Sequence, residues 1–184
     1  MEIIELLKKV AAVLEKLEIK YCVSGGLAVS VWGRPRSTLD LDIVIQLEEK
    51  SIPIFLKELR KLSRAGYLDE PTVREAVAKG GEFNFIHPES GLKVDFWAIK
   101  KTDRVGAEEL KRRVGKIIER QKIYFISPED LILSKLRWHR DGGSNRHLED
   151  IESVLKLSKV NLKYLKTQAA RQKTLEILSQ FFKK

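Results

Sequence analysis

The hydrophobic and polar positions at the start of the chain predict two helices and two strands in alternation. Apolar residues recur every three or four positions over residues 3–17, as on one face of a helix. The short apolar run 21–23 predicts a strand, and the glycine pair 25–26 permits a tight turn into a helix over 27–32. Residues 39–47 first alternate and then become continuously apolar, which predicts a second strand.

The middle of the chain reads as crossover helices followed by a hairpin. Residues 51–68 predict a helix, and residues 69–81 predict a short helical piece that ends at a glycine pair. Two alternating runs within 82–99 are separated by a loop containing proline and glycine, which predicts a β-hairpin. After a basic stretch with a short helix, residues 122–127 predict one more strand.

Only helices are predicted after this strand. Ser127 is a typical N-cap, Pro128 suits the first helical position, and two acidic residues occupy the first turn. Helical periodicity then continues, with breaks near Val160 and Lys173. The pattern therefore predicts a core of strands and helices over residues 1–126 and a helical subdomain over 127–184.

Composition narrows the class of protein. The chain is 43% hydrophobic and 33% charged, and it has no apolar run near the roughly 18 residues of a membrane span. It begins with an amphipathic segment rather than a signal peptide, so we expect a cytoplasmic protein with no membrane partner. Cys22 is the only cysteine, which excludes an intrachain disulfide and a cysteine-rich metal site.

The positive charge is concentrated in the second half of the chain. Residues 1–99 hold 14 Lys and Arg against 15 Asp and Glu, whereas residues 100–184 hold 21 against 11. This asymmetry favours a phosphate-rich partner such as RNA. A solvated basic surface of the kind common in heat-adapted proteins explains it equally well.

Two aspartates stand at the head of the second predicted strand. Asp40 and Asp42 are two residues apart, so their carboxylates lie on the same side of the strand and repel each other. A divalent cation, usually Mg²⁺ where phosphates are present, removes this conflict. If the strand that carries Asp95 is a neighbour, three acids can share two ions. Turn-forming or helix-capping aspartates are the alternative interpretation.

The residues before these aspartates suit a phosphate group. Gly25 and Gly26 open a helix directly after a strand, which presents backbone amides and the positive end of the helix dipole. Arg34 and Arg36 add positive charge nearby.

This arrangement resembles the signature of a known superfamily. A glycine pair, thirteen intervening residues and then Asp40-Leu41-Asp42 are similar to the motif of the DNA polymerase β-like nucleotidyltransferases. The chain looks most like their small bacterial and archaeal branch, which includes the AbiEii-type toxin nucleotidyltransferases. A downstream block, SPEDLILSKLRWH followed by RHLEDI, also resembles that branch.

The resemblance implies a fold and a set of site residues. The expected fold class is α+β, a mixed β-sheet flanked by helices with a C-terminal helical subdomain. The resemblance implies Asp40, Asp42 and Asp95 as catalytic residues and as ligands of two Mg²⁺ or Mn²⁺ ions, with Asp95 a ligand, the base or both. The expected nucleotide-binding residues are Ser24, Gly25, Gly26, Arg36, Lys135 and Asp150.

The expected activity is metal-dependent transfer of a nucleoside monophosphate from an NTP such as ATP to a hydroxyl group. The acceptor stays open between RNA or tRNA, a protein side chain and a small molecule, and the branch resembled also allows a toxin–antitoxin partner protein. Two other functions compete: a non-catalytic nucleotide-binding or antitoxin-like module of the same fold, and a basic RNA-binding protein.

Overall fold

The computed structural model describes residues 2–63 and 65–182, and these form two compact units. The first unit comprises residues 2–26 and 37–126. The second comprises residues 27–36 and 127–182. Residues 27–36, which we place in the core from sequence, therefore group with the C-terminal helices.

The first unit contains all the strands of the described chain. Helix α2 (Gly25–Trp32) begins in this unit, and most of its residues belong to the other. The remaining elements are α1 (Ile3–Lys16), β1 (Lys20–Val23), β2 (Asp40–Gln46), a 3-10 turn (Glu49–Ser51), α3 (Ile52–Arg60), α4 (Glu70–Lys79), β3 (Gly81–His87), β4 (Leu92–Ala98), α5 (Arg104–Arg112), β5 (Val114–Ile118) and β6 (Gln121–Phe125).

The second unit is helical in its described part. It contains α6 (Pro128–Gly142), α7 (Asn145–Leu157), α8 (Leu162–Arg171), α9 (Leu175–Ser179) and a final 3-10 turn (Gln180–Phe182). The Ser127 side chain accepts a hydrogen bond from the Asp130 amide and caps α6, as predicted. Gly143 ends α6 in the left-handed conformation. Within residues 2–63 and 65–182, no helix is both long and apolar enough to cross a membrane.

The six strands form one mixed sheet in the order β3-β4-β2-β1-β6-β5. β2 runs parallel to β4 and β1 runs parallel to β6, while the other three neighbouring pairs are antiparallel. Helices α1 and α5 pack on β1 and β2, and α4 packs on β3 and β4. This architecture confirms the α+β fold class with a mixed sheet.

One face of the sheet is apolar and forms the core of the first unit. Leu41, Ile43 and Ile45 of β2 are fully buried on this face. Phe83 of β3 stacks on Phe96 of β4 with ring centroids 5.1 Å apart. Because side chains alternate along a strand, the residues between these positions lie on the other face.

The register of β2, β4 and β3 collects polar side chains on that other face. Asp42 of β2 pairs with Asp95 of β4, and Asn84 of β3 pairs with the same Asp95. Two residues earlier on each strand, Asp40 pairs with Lys93. A strip of polar side chains therefore crosses three neighbouring strands at one place on the sheet.

Candidate active site

The first turn of α2 lies directly against the Asp42 carboxylate. Gly25 has φ +58°, and a Cβ atom at this position would stand 1.7 Å from Oδ2 of Asp42. The Ser24 amide donates a 2.8 Å hydrogen bond to the Asp42 carbonyl. Glycine is therefore needed at position 25 for two reasons, its backbone conformation and the carboxylate beside it. The glycine motif and the aspartate motif are parts of one packed feature.

Gly25→Ala is expected to weaken both the fold and the site. The alanine Cβ must displace the Asp42 carboxylate, and positive φ costs a non-glycine residue about 1 kcal/mol or more. Urea unfolding followed by circular dichroism should show a larger loss than in Gly91→Ala. Gly91 has φ +67°, and a Cβ atom added there would meet nothing within 4 Å, so that variant carries the backbone cost without the collision. Equal losses in the two variants would contradict the role of the Asp42 contact.

The three predicted carboxylates differ in their surroundings. Asp40 is exposed and Asp42 is partly buried, while Asp95 is only 6% exposed. Lys93 Nζ lies 2.8 Å from Oδ2 of Asp95, and this hydrogen bond raises the pKa of Lys93. Oδ1 of Asp95 is buried and accepts no hydrogen bond from any described residue. A buried carboxylate oxygen without a donor marks a place where a ligand is expected.

A fourth acid on the same face was missed by sequence reasoning. Glu82 of β3 is two residues from Asn84 and therefore shares the face of Asp95. Burial raises the pKa of Glu82, and the negative charges of Asp95 and Asp42 raise it further. The signal for Glu82 exists in the alternation of the hairpin, but it depends on the register between β3 and β4.

The carboxylate oxygens of this face are of the type that binds a divalent cation, and two of the carboxylates lie on neighbouring strands in register. Carboxylate oxygens are the ligands that Mg²⁺ and Mn²⁺ prefer, and the orphan oxygen of Asp95 lies on the strand next to Asp42, in register with it. No three His, Cys, Asp or Glu side chains among the described residues already form a ligand group for one ion. Lys93 pairs with the other Asp95 oxygen, Oδ2, at 2.8 Å.

The second unit contains a charged cluster made of Arg36, Lys135 and Asp150. Arg36 donates two hydrogen bonds to the Asp150 carboxylate, from Nε at 3.1 Å and from Nη2 at 3.2 Å. Lys135 Nζ lies 3.1 Å from Oδ2 of the same carboxylate. Lys135 and Asp150 are each only 4% exposed. Two cations therefore share one anion, and the cluster keeps a net positive charge.

The local sequence explains how this cluster assembles. Gly143 turns the chain between α6, which carries Lys135, and α7, which carries Asp150. The Arg34 amide donates a 2.6 Å hydrogen bond to Ser153 Oγ on α7. These bonds hold the segment that ends in Arg36 beside α7.

Two aromatic rings lie next to this cluster. The Trp138 ring centroid is 5.0 Å from Lys135 Nζ and 5.7 Å from the His147 ring. Burial lowers the pKa of His147, and the positive charge of Lys135 lowers it further. A neutral imidazole avoids adding a third cation to the cluster.

The predicted site residues thus fall into two groups, one in each unit. The first unit brings together Ser24, Gly25, Gly26, Asp40, Asp42 and Asp95. The second brings together Arg36, Lys135 and Asp150. Their roles with nucleotide and metal remain predictions.

The fold is that of nucleotidyltransferases. The chain is similar to an antigenic nucleotidyltransferase-like protein from Paracoccidioides brasiliensis, at 19% identity over 97% of this chain and 91% of that one, with a TM-score of 0.58. It is also similar to ANT(2")-Ia in complex with adenylyl-2"-tobramycin, at 14% identity over 91% and 95% of the two chains, with a TM-score of 0.62. The lincomycin-bound lincosamide antibiotic adenylyltransferase LnuA matches at 16% identity over 80% and 92%, with a TM-score of 0.53.

The amino-acid sequence identifies the family to which the chain belongs. The chain belongs to the family described as nucleotidyltransferase of unknown function (DUF6036), whose model matches residues 1–182. No curated protein matches the chain. The prediction of a nucleotidyltransferase is confirmed by this family, and the fold is consistent with the predicted relation to the polymerase β-like superfamily.

Proposed function

We propose that this protein transfers a nucleoside monophosphate from an NTP to a hydroxyl group, with Asp40, Asp42 and Asp95 holding Mg²⁺ or Mn²⁺. One observation carries the proposal: Asp42 is in register with Asp95, and the buried Oδ1 atom of Asp95 has no hydrogen-bond donor. The first turn of α2 packs against the same Asp42 carboxylate. Membership of a nucleotidyltransferase family supports it. When bound, a pair of divalent ions polarises the α-phosphate and lowers the pKa of the acceptor hydroxyl.

The predicted site residues have the following proposed roles. The amides at Gly25 and Gly26, at the start of α2, hold phosphate oxygens. Arg36 and Lys135 stabilise negative charge on the phosphates and on the departing pyrophosphate, since their cluster is net positive. Asp95 accepts the proton of the acceptor hydroxyl or serves only as a ligand. No covalent enzyme intermediate is required.

The acceptor is proposed by class only. ANT(2")-Ia is bound to adenylyl-2"-tobramycin and LnuA to lincomycin, which favours a small hydroxyl-bearing molecule as the first acceptor to test. RNA, tRNA and a protein hydroxyl follow, because the second half of the chain is strongly basic.

The test measures NTP binding first and transfer second. Isothermal titration with each of the four NTPs should show binding that requires Mg²⁺, and EDTA should abolish it. α-³²P-labelled NTP should then label one of three pools: small hydroxylated molecules, total RNA or protein. Absence of NTP binding in Mg²⁺ contradicts the proposal, and affinity capture of a toxin–antitoxin partner then becomes the next experiment. NTP binding without transfer to any pool favours the non-catalytic module.

A further inference from the structure

A lysine stands among the carboxylates of the candidate metal site. Lys93 lies on β4 two residues before Asp95, and it is in register with Asp40 of β2. Its Nζ atom is 2.8 Å from Oδ2 of Asp95. The Lys93 side chain is 37% exposed and the Asp95 side chain only 8%, so the ammonium reaches the carboxylate from the solvent side.

This ion pair occupies an atom that a divalent cation would use. Carboxylate oxygens bind Mg²⁺ at about 2.1 Å, and an ammonium in contact with the same oxygen competes for it. The other oxygen of Asp95 has no hydrogen-bond donor, so half of the carboxylate is engaged by Lys93 and half is available.

The pair has a clear electrostatic reason. Asp40, Asp42, Asp95 and Glu82 share one face of the sheet, and four carboxylates there repel one another. Lys93 supplies positive charge that offsets this repulsion in the ion-free protein, because its Nζ atom contacts Asp95 and its position pairs with Asp40. A divalent cation supplies twice that charge at the same place, which makes the lysine unnecessary there.

We propose that Lys93 is the resident counter-ion of Asp95, which holds this carboxylate in the ion-free protein and is released from it when a divalent ion binds. The inference rests on the proposed function, because it takes Asp95 as a metal ligand. Release places a free ammonium group in register with Asp40, on the face where the anionic nucleotide is proposed to bind. Lys93 is thus a positioning residue that couples ion binding to the charge presented to phosphate.

The first experiment measures Mn²⁺ affinity by the electron paramagnetic resonance signal of free Mn²⁺, without nucleotide. Lys93→Met removes the competing charge and keeps most of the length of the side chain. It is expected to lower the Kd for Mn²⁺ about tenfold or more. Lys20→Met, at the exposed start of β1, removes the same net charge away from Asp95 and should leave the Kd unchanged. Equal Kd values in the wild type and Lys93→Met would overturn the inference.

The second experiment separates release from simple charge repulsion. Amine labelling of the wild type with acetic anhydride, read at Lys93 by mass spectrometry, should become faster when Mn²⁺ is added, and labelling of Lys20 should not change. An unchanged rate at Lys93 overturns the inference even if Lys93→Met binds Mn²⁺ more tightly. If neither protein binds Mn²⁺, the metal assignment under the proposed function fails and takes this inference with it. If Mn²⁺ binds without effect at Lys93, only this inference fails.

Discussion

Asp42→Asn is expected to abolish nucleotidyl transfer while the protein stays folded. Asparagine keeps the shape of the side chain against Gly25 but loses the negative charge that a divalent ion requires. The rate of label transfer should fall about 10³-fold or more, the scale on which removal of one transition-state charge contact acts. Rates of transfer from α-³²P-labelled NTP measure this effect directly. Asp40→Asn should behave in the same direction.

A matched control and a stability measurement make this result specific. Glu75→Gln removes an exposed carboxylate that pairs with Lys79 on α4, and it should leave the rate unchanged. In metal-free buffer, circular dichroism should show that Asp42→Asn is folded, because asparagine keeps the shape of the side chain beside Gly25. Mg²⁺ should raise the unfolding temperature of the wild type only. A variant that retains transfer within tenfold of the wild type would show that Asp42 does not bind a catalytic ion.

The aspartate motif could be predicted because its information is local. Spacing of two within a strand places Asp40 and Asp42 on one side, whatever the rest of the chain does. The glycine pair likewise predicts a turn and a helix start. The pairing of Asp42 with Asp95 could only be stated as a condition, because more than fifty residues separate them and the parallel register depends on the whole sheet.

Glu82 and Lys93 illustrate the part that could not be predicted. Each is an ordinary charged residue in an alternating strand, for which a solvated position is the usual interpretation. Their importance arises from strand pairing. Because Asn84 pairs with Asp95, Glu82 two residues earlier lies on the same face as Asp95. Lys93 lies beside the aspartates of β2 because it pairs with Asp40. Local periodicity contains neither register.

Strand β5 was missed for a different reason. A two-residue turn, Glu119 and Arg120, joins it to β6, and these residues have φ of 43° and 70°. Such turns are normally signalled by Asn or Gly, which tolerate positive φ. Without that signal, residues 114–118 read as part of the basic stretch before a single strand. The hairpin forms because cross-strand pairing outweighs the local cost at the turn.

The contacts of Asp150, which we predict to lie in the nucleotide site, are with two cations. Its two oxygens accept hydrogen bonds from Arg36, and Lys135 pairs with one of them. An anion so engaged would repel phosphate less and would hold both cations in fixed positions. We therefore expect Asp150 to act through Arg36 and Lys135.

Asp150→Ala is accordingly expected to cause a large loss of stability. The substitution removes the carboxylate that pairs with the buried Lys135 ammonium. Removing one partner of a buried ion pair costs about 3–5 kcal/mol of stability. Urea unfolding followed by circular dichroism measures the loss. Asp141→Ala, which removes an exposed carboxylate of α6 paired with Arg140, should cost far less stability than Asp150→Ala, because solvent screens that pair.

The double variant Asp150→Ala/Lys135→Met tests the cause of that loss. Because methionine removes the buried positive charge and keeps most of the side-chain volume, the double variant should be more stable than Asp150→Ala alone, by about 1–3 kcal/mol. NTP affinity should fall in Lys135→Met as well, since the proposed phosphate contact is lost with the charge. If the losses of the two single variants simply add, the Lys135–Asp150 pair does not stabilise the fold.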